Sequence, residues 1–258
     1  MVDLPGHYAE LRRRVAKLLR GKGYDPRNRL DPSRKLKLMF AHVPKTGGQS
    51  VGQAVVQAFG ERLWLDYDDT PADPAAPTNF DPVGYLEAAH ASDYPWLVGK
   101  DAVMGHFWVS KYEPVRFEIR ATILREPIAR ALSLYAFWQA RAVRPNVVRR
   151  YLVKRQLDFM AFARIPSVNR FYVDHMFRDA DMASFDVIGD QARLSEDWAG
   201  VVGRMGIDTP EVRRNETREF DPGYLQLKHE VLEDPVKMTR LRDIFSADLR
   251  FYERWTCL

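Results

Sequence analysis

The chain has 258 residues, 46% of them hydrophobic and 29% charged, with a formal net charge of +4. These proportions suit one globular domain with an ample core and exclude a low-complexity or fibrous chain. Its one cysteine, Cys257, excludes an internal disulfide and a cysteine-built metal site. No run approaches the roughly 18 apolar residues of a membrane span, and no polybasic tail suggests nucleic acid. With no secretion signal either, a cytoplasmic location is expected.

Residues 1–35 carry Arg12, Arg13, Arg14, Lys17, Arg20 and further cations, with Tyr8, Leu11, Val15, Leu18 and Leu19 at helical spacing. The pattern predicts a basic amphipathic helix ended by Gly21 and Gly23, packed on a main domain of residues 36–258. That domain opens on an apolar run, Leu38, Met39, Phe40 and Ala41. A turn follows through His42, Val43, Pro44, Lys45, Thr46, Gly47, Gly48, Gln49 and Ser50. Val51, Ala54, Val55 and Ala58 then fall at i, i+3, i+4 and i+7, one face of a helix. Strand, glycine turn and helix aim bare backbone N–H groups at an anion. Lys45 adds a positive charge, and Thr46 and Ser50 add hydroxyl donors. The common nucleotide loop, G-x-x-x-x-G-K-[ST], places its lysine after the glycines. Here the lysine precedes Gly47 and Gly48, so the register differs.

Residues 62–101 are rich in aspartate and proline, which predicts loops and turns framing the mouth of a site. Ala102 to Met104 reads as a short buried strand with His106 just past its carboxyl end, where open α/β sheets bind ligands. A lone histidine there is more often structural than catalytic. Ile119 to Leu124 predicts another strand. Arg125-Glu126-Pro127 ends it, and Ile128, Ala131, Leu132, Tyr135 and Trp138 form a helical face with Pro127 in the first turn. Residues 141–180 predict several helices, basic outside and aromatic within. Arg130 fits an exposed helix position or one facing a ligand. Phe185 to Gly189 reads as a strand, Leu194 to Met205 as a helix, and Ser246 to Trp255 as a closing helix. The six histidines are scattered without zinc spacing, so no metal is expected.

Two motifs resemble those of sulfotransferases that use PAPS (3′-phosphoadenosine 5′-phosphosulfate), in particular the branch that includes heparan sulfate 2-O-sulfotransferase. Pro44-Lys45-Thr46-Gly47-Gly48-Gln49-Ser50 is similar to the family's P-K-T-G-G-[TS]-S loop, with Gln49 where a hydroxyl residue is usual. Arg125-Glu126-Pro127 through Arg130, Ser133 and Tyr135 is similar to R-[DE]-P-x-x-R-x-x-S-x-Y. The resemblance spans residues 36–256. It implies an α/β, P-loop-like three-layer fold with a central, mainly parallel sheet flanked by helices. It implies that Lys45, Thr46, Gly47, Gly48, Gln49 and Ser50 hold the 5′-phosphosulfate, and that Arg125 and Ser133 hold the 3′-phosphate of PAPS, released as PAP (3′,5′-adenosine bisphosphate). Gly105-His106 matches the family's G-H motif, which makes His106 the expected general base and Lys45 its catalytic companion. A carbohydrate hydroxyl is the expected acceptor. Glutamate is the base in some members, so an acidic residue from the 66–101 stretch stays a second candidate. Two other readings stay open on sequence: a kinase with an atypical phosphate loop, and a non-catalytic module binding anionic glycans.

Overall fold

Strand β1, Lys35–Ala41, is the centre of the molecule, and its Leu38, Met39, Phe40 and Ala41 are buried. In the computed structural model, residue 25 and residues 27–140, 146–205 and 222–256 are described. The basic helix expected near the N-terminus lies outside them. Helix α1, Gly48–Phe59, follows the turn and buries Val51, Ala54 and Val55, as their spacing predicts. Strands β2 (Leu63–Asp66), β3 (Ala102–Gly105), β4 (Arg116–Leu124) and β5 (Val187–Asp190) complete one sheet in the order β2-β3-β1-β4-β5. Every pairing is parallel. The crossovers leave β1 in both directions, which puts the topological switch point at its carboxyl end.

One face of the sheet packs on α1 and on α8, Leu194–Met205, through Leu38, Phe40, Met104, Ile123, Val55 and Trp198. The opposite face is covered by aromatic residues of the 94–117 and 171–185 segments and by the closing helix α11, Ser246–Thr256. The three-layer α/β architecture expected from sequence is thus present. A separate apolar cluster joins α4 (Pro127–Ala140), α5 (Val147–Arg155), α6 (Phe159–Ala163) and α7 (Pro166–Asn169) to α9 (Pro222–Leu232) and α10 (Pro235–Ile244).

The 62–101 stretch departs from expectation. It contains the edge strand β2 and two helices, α2 (Pro77–Phe80) and α3 (Pro82–His90). Pro71 and Pro74 lie in turns as expected, but other prolines of the stretch open helices. Pro77 and Pro82 stand at first-turn positions, where a missing N–H costs nothing, and the Asp81 carboxylate accepts the Gly84 N–H at 3.1 Å as an N-cap. Among the described residues, no helix is long and apolar enough to cross a membrane.

Candidate functional site

The register of the sheet assembles the site. Ala41 pairs with Gly105, and Gly105 with Asp66, so the next residues of three neighbouring strands are His42, His106 and Tyr67. The His42 N–H donates to the Gly105 carbonyl at 2.9 Å and carries the ladder one step further. Gly105 permits the approach: a Cβ there would lie 1.6 Å from the Asp66 carbonyl oxygen. In the G-H pair the glycine therefore has a backbone duty of its own.

The three rings form a row. The His106 ring lies 4.7 Å, centroid to centroid, from both His42 and Tyr67, edge to face in each case. His42 Nδ1 is 2.9 Å from the Tyr67 hydroxyl. His106 Nε2 is buried and has no hydrogen-bond partner among the described residues. Burial drives the His106 imidazole well below its ordinary pKa, and neighbouring His42 adds to the effect. Burial alone lowers His42 to about 4 and raises Tyr67 to about 12. All three are therefore neutral at neutral pH.

Beneath the row lies a buried charge cluster that the sequence did not announce. Lys111 Nζ reaches Asp66 Oδ2 at 2.6 Å and Asp69 Oδ1 at 3.0 Å. The Tyr112 hydroxyl donates to Asp66 at 2.7 Å, and the Tyr85 hydroxyl donates to Asp69. Asp69 also accepts the Trp108 N–H at 3.1 Å, which ties the strand end carrying His106 to the one carrying Tyr67. Burial would lower Lys111, but Asp66 and Asp69 outweigh it and hold the ammonium well above its ordinary value. Asp66 and Asp69, two of the acidic residues considered as bases, thus have their carboxylates committed to Lys111 and the tyrosines.

The loop before α1 has the conformation of an anion cradle. Lys45 has φ 72° and Gly47 φ 84°. A Cβ on Gly47 would meet Leu194 Cδ2 at 2.9 Å, so both torsion and space call for glycine. Gly48, Gln49 and Ser50 form the first turn of α1, whose N-cap residue, Gly47, makes no side-chain cap. Thr46 is buried, and its hydroxyl donates to the Val43 carbonyl at 2.9 Å. It braces the loop, whereas a donor aimed at ligand was expected. Lys45 Nζ lies 4.2 Å above the Phe137 ring of α4.

Arg125 follows β4 and joins the loop directly: its Nη1 donates to the Lys45 carbonyl at 3.1 Å across 80 residues of sequence. Tyr172 fixes its backbone, accepting the Arg125 N–H at 3.2 Å and donating to the Arg125 carbonyl at 2.7 Å. Ser133 is half-buried on α4. The Glu126 carboxylate caps that helix, accepting Ile128 N–H at 3.1 Å and Ala129 N–H at 2.6 Å. Burial raises its pKa against these two bonds.

Arg130 is not exposed. It is fully buried, its Nη2 donates to Val168 carbonyl at 2.9 Å, and its guanidinium lies 4.3 Å from the Phe171 ring centroid. Next to it Asp248, pushed up to about 6 by burial, accepts the N–H groups of Tyr172 and Val173.

The sequence singled out Lys45, His106, Arg125 and Ser133, and the fold sets them at the ends of β1, β3 and β4 and on the helix after β4. It did not single out His42, Tyr67, Lys111 or Tyr172. A histidine preceding the loop was the one visible signal among these.

A family model described as the sulfotransferase family matches residues 28–253. Two solved structures are similar over most of the chain. A sulfotransferase from Alicyclobacillus acidocaldarius is 14% identical with a TM-score of 0.35, covering 86% of this chain and 100% of its own. The mouse sulfotransferase SULT7A1, complexed with PAP, is 11% identical with a TM-score of 0.33, covering 80% of this chain and 66% of its own. Curated proteins give no match.

Proposed function

Because the chain belongs to the sulfotransferase family, we propose that it transfers the sulfuryl group of PAPS to a carbohydrate hydroxyl with His106 as general base. The observation that carries the reading is the meeting of three chain segments on one rim. The loop at Lys45, the Arg125 side chain bonded to it at 3.1 Å, and the His106 ring stand at the ends of β1, β4 and β3.

The residues fit the donor. When bound, PAPS supplies an activated sulfuryl group and a leaving group with phosphates at both ends. The first turn of α1 and the positive-φ loop offer backbone N–H groups to the 5′ end. Lys45 brings a mobile positive charge to the same end and balances charge on the departing oxygen. Arg125 and Ser133 form the 3′-phosphate contact: a guanidinium presents a planar fork of donors, and a hydroxyl adds a neutral one. Arg125 uses Nη1 for the Lys45 carbonyl and has further N–H donors for a phosphate, so the two halves of the site are linked.

His106 takes the proton of the acceptor hydroxyl at Nε2, the nitrogen for which the described residues provide no partner. Its depressed pKa keeps the ring in the neutral, proton-accepting form at neutral pH. A carbohydrate acceptor is supported by the exposed cations Arg150, Lys154 and Arg155 on α5, which suit an acidic glycan.

The test is His106→Ala incubated with labelled PAPS and a panel of glycans. PAP binding should match the wild type while label transfer falls by about 10²-fold or more. Retained transfer would place the base elsewhere. Label accepted only by non-carbohydrate hydroxyls would remove the glycan.

A further inference from the structure

His106 poses a problem of orientation. A catalytic histidine is usually held by a hydrogen bond on the nitrogen that does not react, which sets both tautomer and ring angle. In His106 the nitrogen assigned to the reaction, Nε2, is buried without a hydrogen-bond partner among the described residues. What surrounds it is the pair of rings at the ends of the two flanking strands, each 4.7 Å away, His42 just after β1 and Tyr67 just after β2. Those rings are tied to each other at 2.9 Å, from His42 Nδ1 to the Tyr67 hydroxyl.

We propose that Tyr67 and His42 are positioning residues for His106, acting as one hydrogen-bonded bracket that holds its imidazole by edge-to-face contact. The inference rests on the reading of His106 as the base. Three features argue for it. First, the row follows from strand register, since residues 42, 106 and 67 each come one place after the mutually paired Ala41, Gly105 and Asp66. Second, the strand ends are stiffened from below: Lys111 binds Asp66 and Asp69, and Asp69 binds the Trp108 N–H, so Tyr67 and His106 stand on one braced unit. Third, ring-to-ring contacts use none of the hydrogen-bonding capacity of His106, whose buried Nε2 has no partner among the described residues. The interplanar angles, 62° to His42 and 71° to Tyr67, match the edge-to-face geometry that aromatic pairs favour.

A bracket makes a specific demand on mutants. Tyr67→Phe keeps the ring and removes only the tie to His42. It should lower kcat by about 10-fold, because small losses of alignment are costly at a reacting centre, and leave the KM for PAPS and the Kd for PAP unchanged. His42→Leu should do the same, and the double variant should be no worse than the more impaired single, since the two residues act as a unit. Losses that multiply in the double variant, or a Tyr67→Phe enzyme with wild-type kcat, would overturn the proposal. So would a parallel fall in PAP affinity, which would mark a structural role.

Imidazole nitrogen NMR on the protein alone keeps the inference separate from the base assignment. Tyr67→Phe should change the tautomer balance or linewidth of the His106 ring signals. Unchanged signals would refute the bracket even if His106→Ala is inactive. If His106→Ala stays active while the signals respond, the base assignment fails and the bracket stands as structure only.

Discussion

The molecule contains two strand–turn–helix units side by side in the sheet, and their helix starts are treated in opposite ways. After β1, the chain turns through positive φ at Lys45 and Gly47 and enters α1 with Gly47 as an N-cap that makes no side-chain bond. After β4, the chain enters α4 with Glu126 folded back on the Ile128 and Ala129 N–H groups. Both helix starts present orphan donors and a positive dipole end. In the proposed reading the first keeps them for an anion from outside. The second satisfies two of them with its own carboxylate, so the proposed 3′-phosphate contact falls to side chains, Arg125 and Ser133. The same local architecture would then serve once as a main-chain anion site and once as a side-chain one.

Three substitutions sharpen or break that contrast. Lys45→Ala acts on the open start and should reduce kcat by about 10²–10³-fold at saturating PAPS, the usual size for losing one charge-stabilising donor. An effect seen only in apparent PAPS affinity would take Lys45 out of the transition state. Arg125→Ala acts on the closed start and should weaken PAP by about 10–100-fold, in line with a lost charged hydrogen bond. Binding of 5′-AMP should change far less, and calorimetry showing equal losses for both nucleotides would refute the 3′-phosphate assignment. Glu126→Ala removes the cap itself and should cost about 1 kcal/mol of stability by urea denaturation. It should not convert α4 into a second phosphate site. A stoichiometry above one PAP per chain in that variant would show that the carboxylate alone kept the two units apart.

Much of this contrast was legible in the sequence, because it is local. The apolar spacing after Gly48 and after Pro127 marks two helices, and Lys45, Gly47, Arg125 and Pro127 mark the turns between them and their strands. Less legible was whatever depends on the order of strands. His42, Tyr67 and His106 are far apart along the chain and become neighbours only because β3 inserts between β1 and β2. Strand β2 itself is four residues long and is followed by a proline-rich stretch, so its periodicity is too short to read. Lys111 and Arg130 were hidden for another reason. Composition treats such cations as surface residues, whereas here Lys111 is neutralised by two buried aspartates and Arg130 lies against Phe171 and Tyr172.

Strand order also has a consequence in time. Among the described strands the first in sequence, β1, is the middle strand of the sheet, and its partners arrive much later: Leu38 pairs with Ala102 on one side and with Ile119 on the other. A growing chain therefore emerges with Leu38, Met39 and Phe40 exposed and must synthesise some sixty further residues before either neighbour exists. Closing loops of that length slows folding and leaves a naked apolar strand available to other chains meanwhile. The glycine loop attached to that strand gains its bond from Arg125 only after 80 further residues have been made.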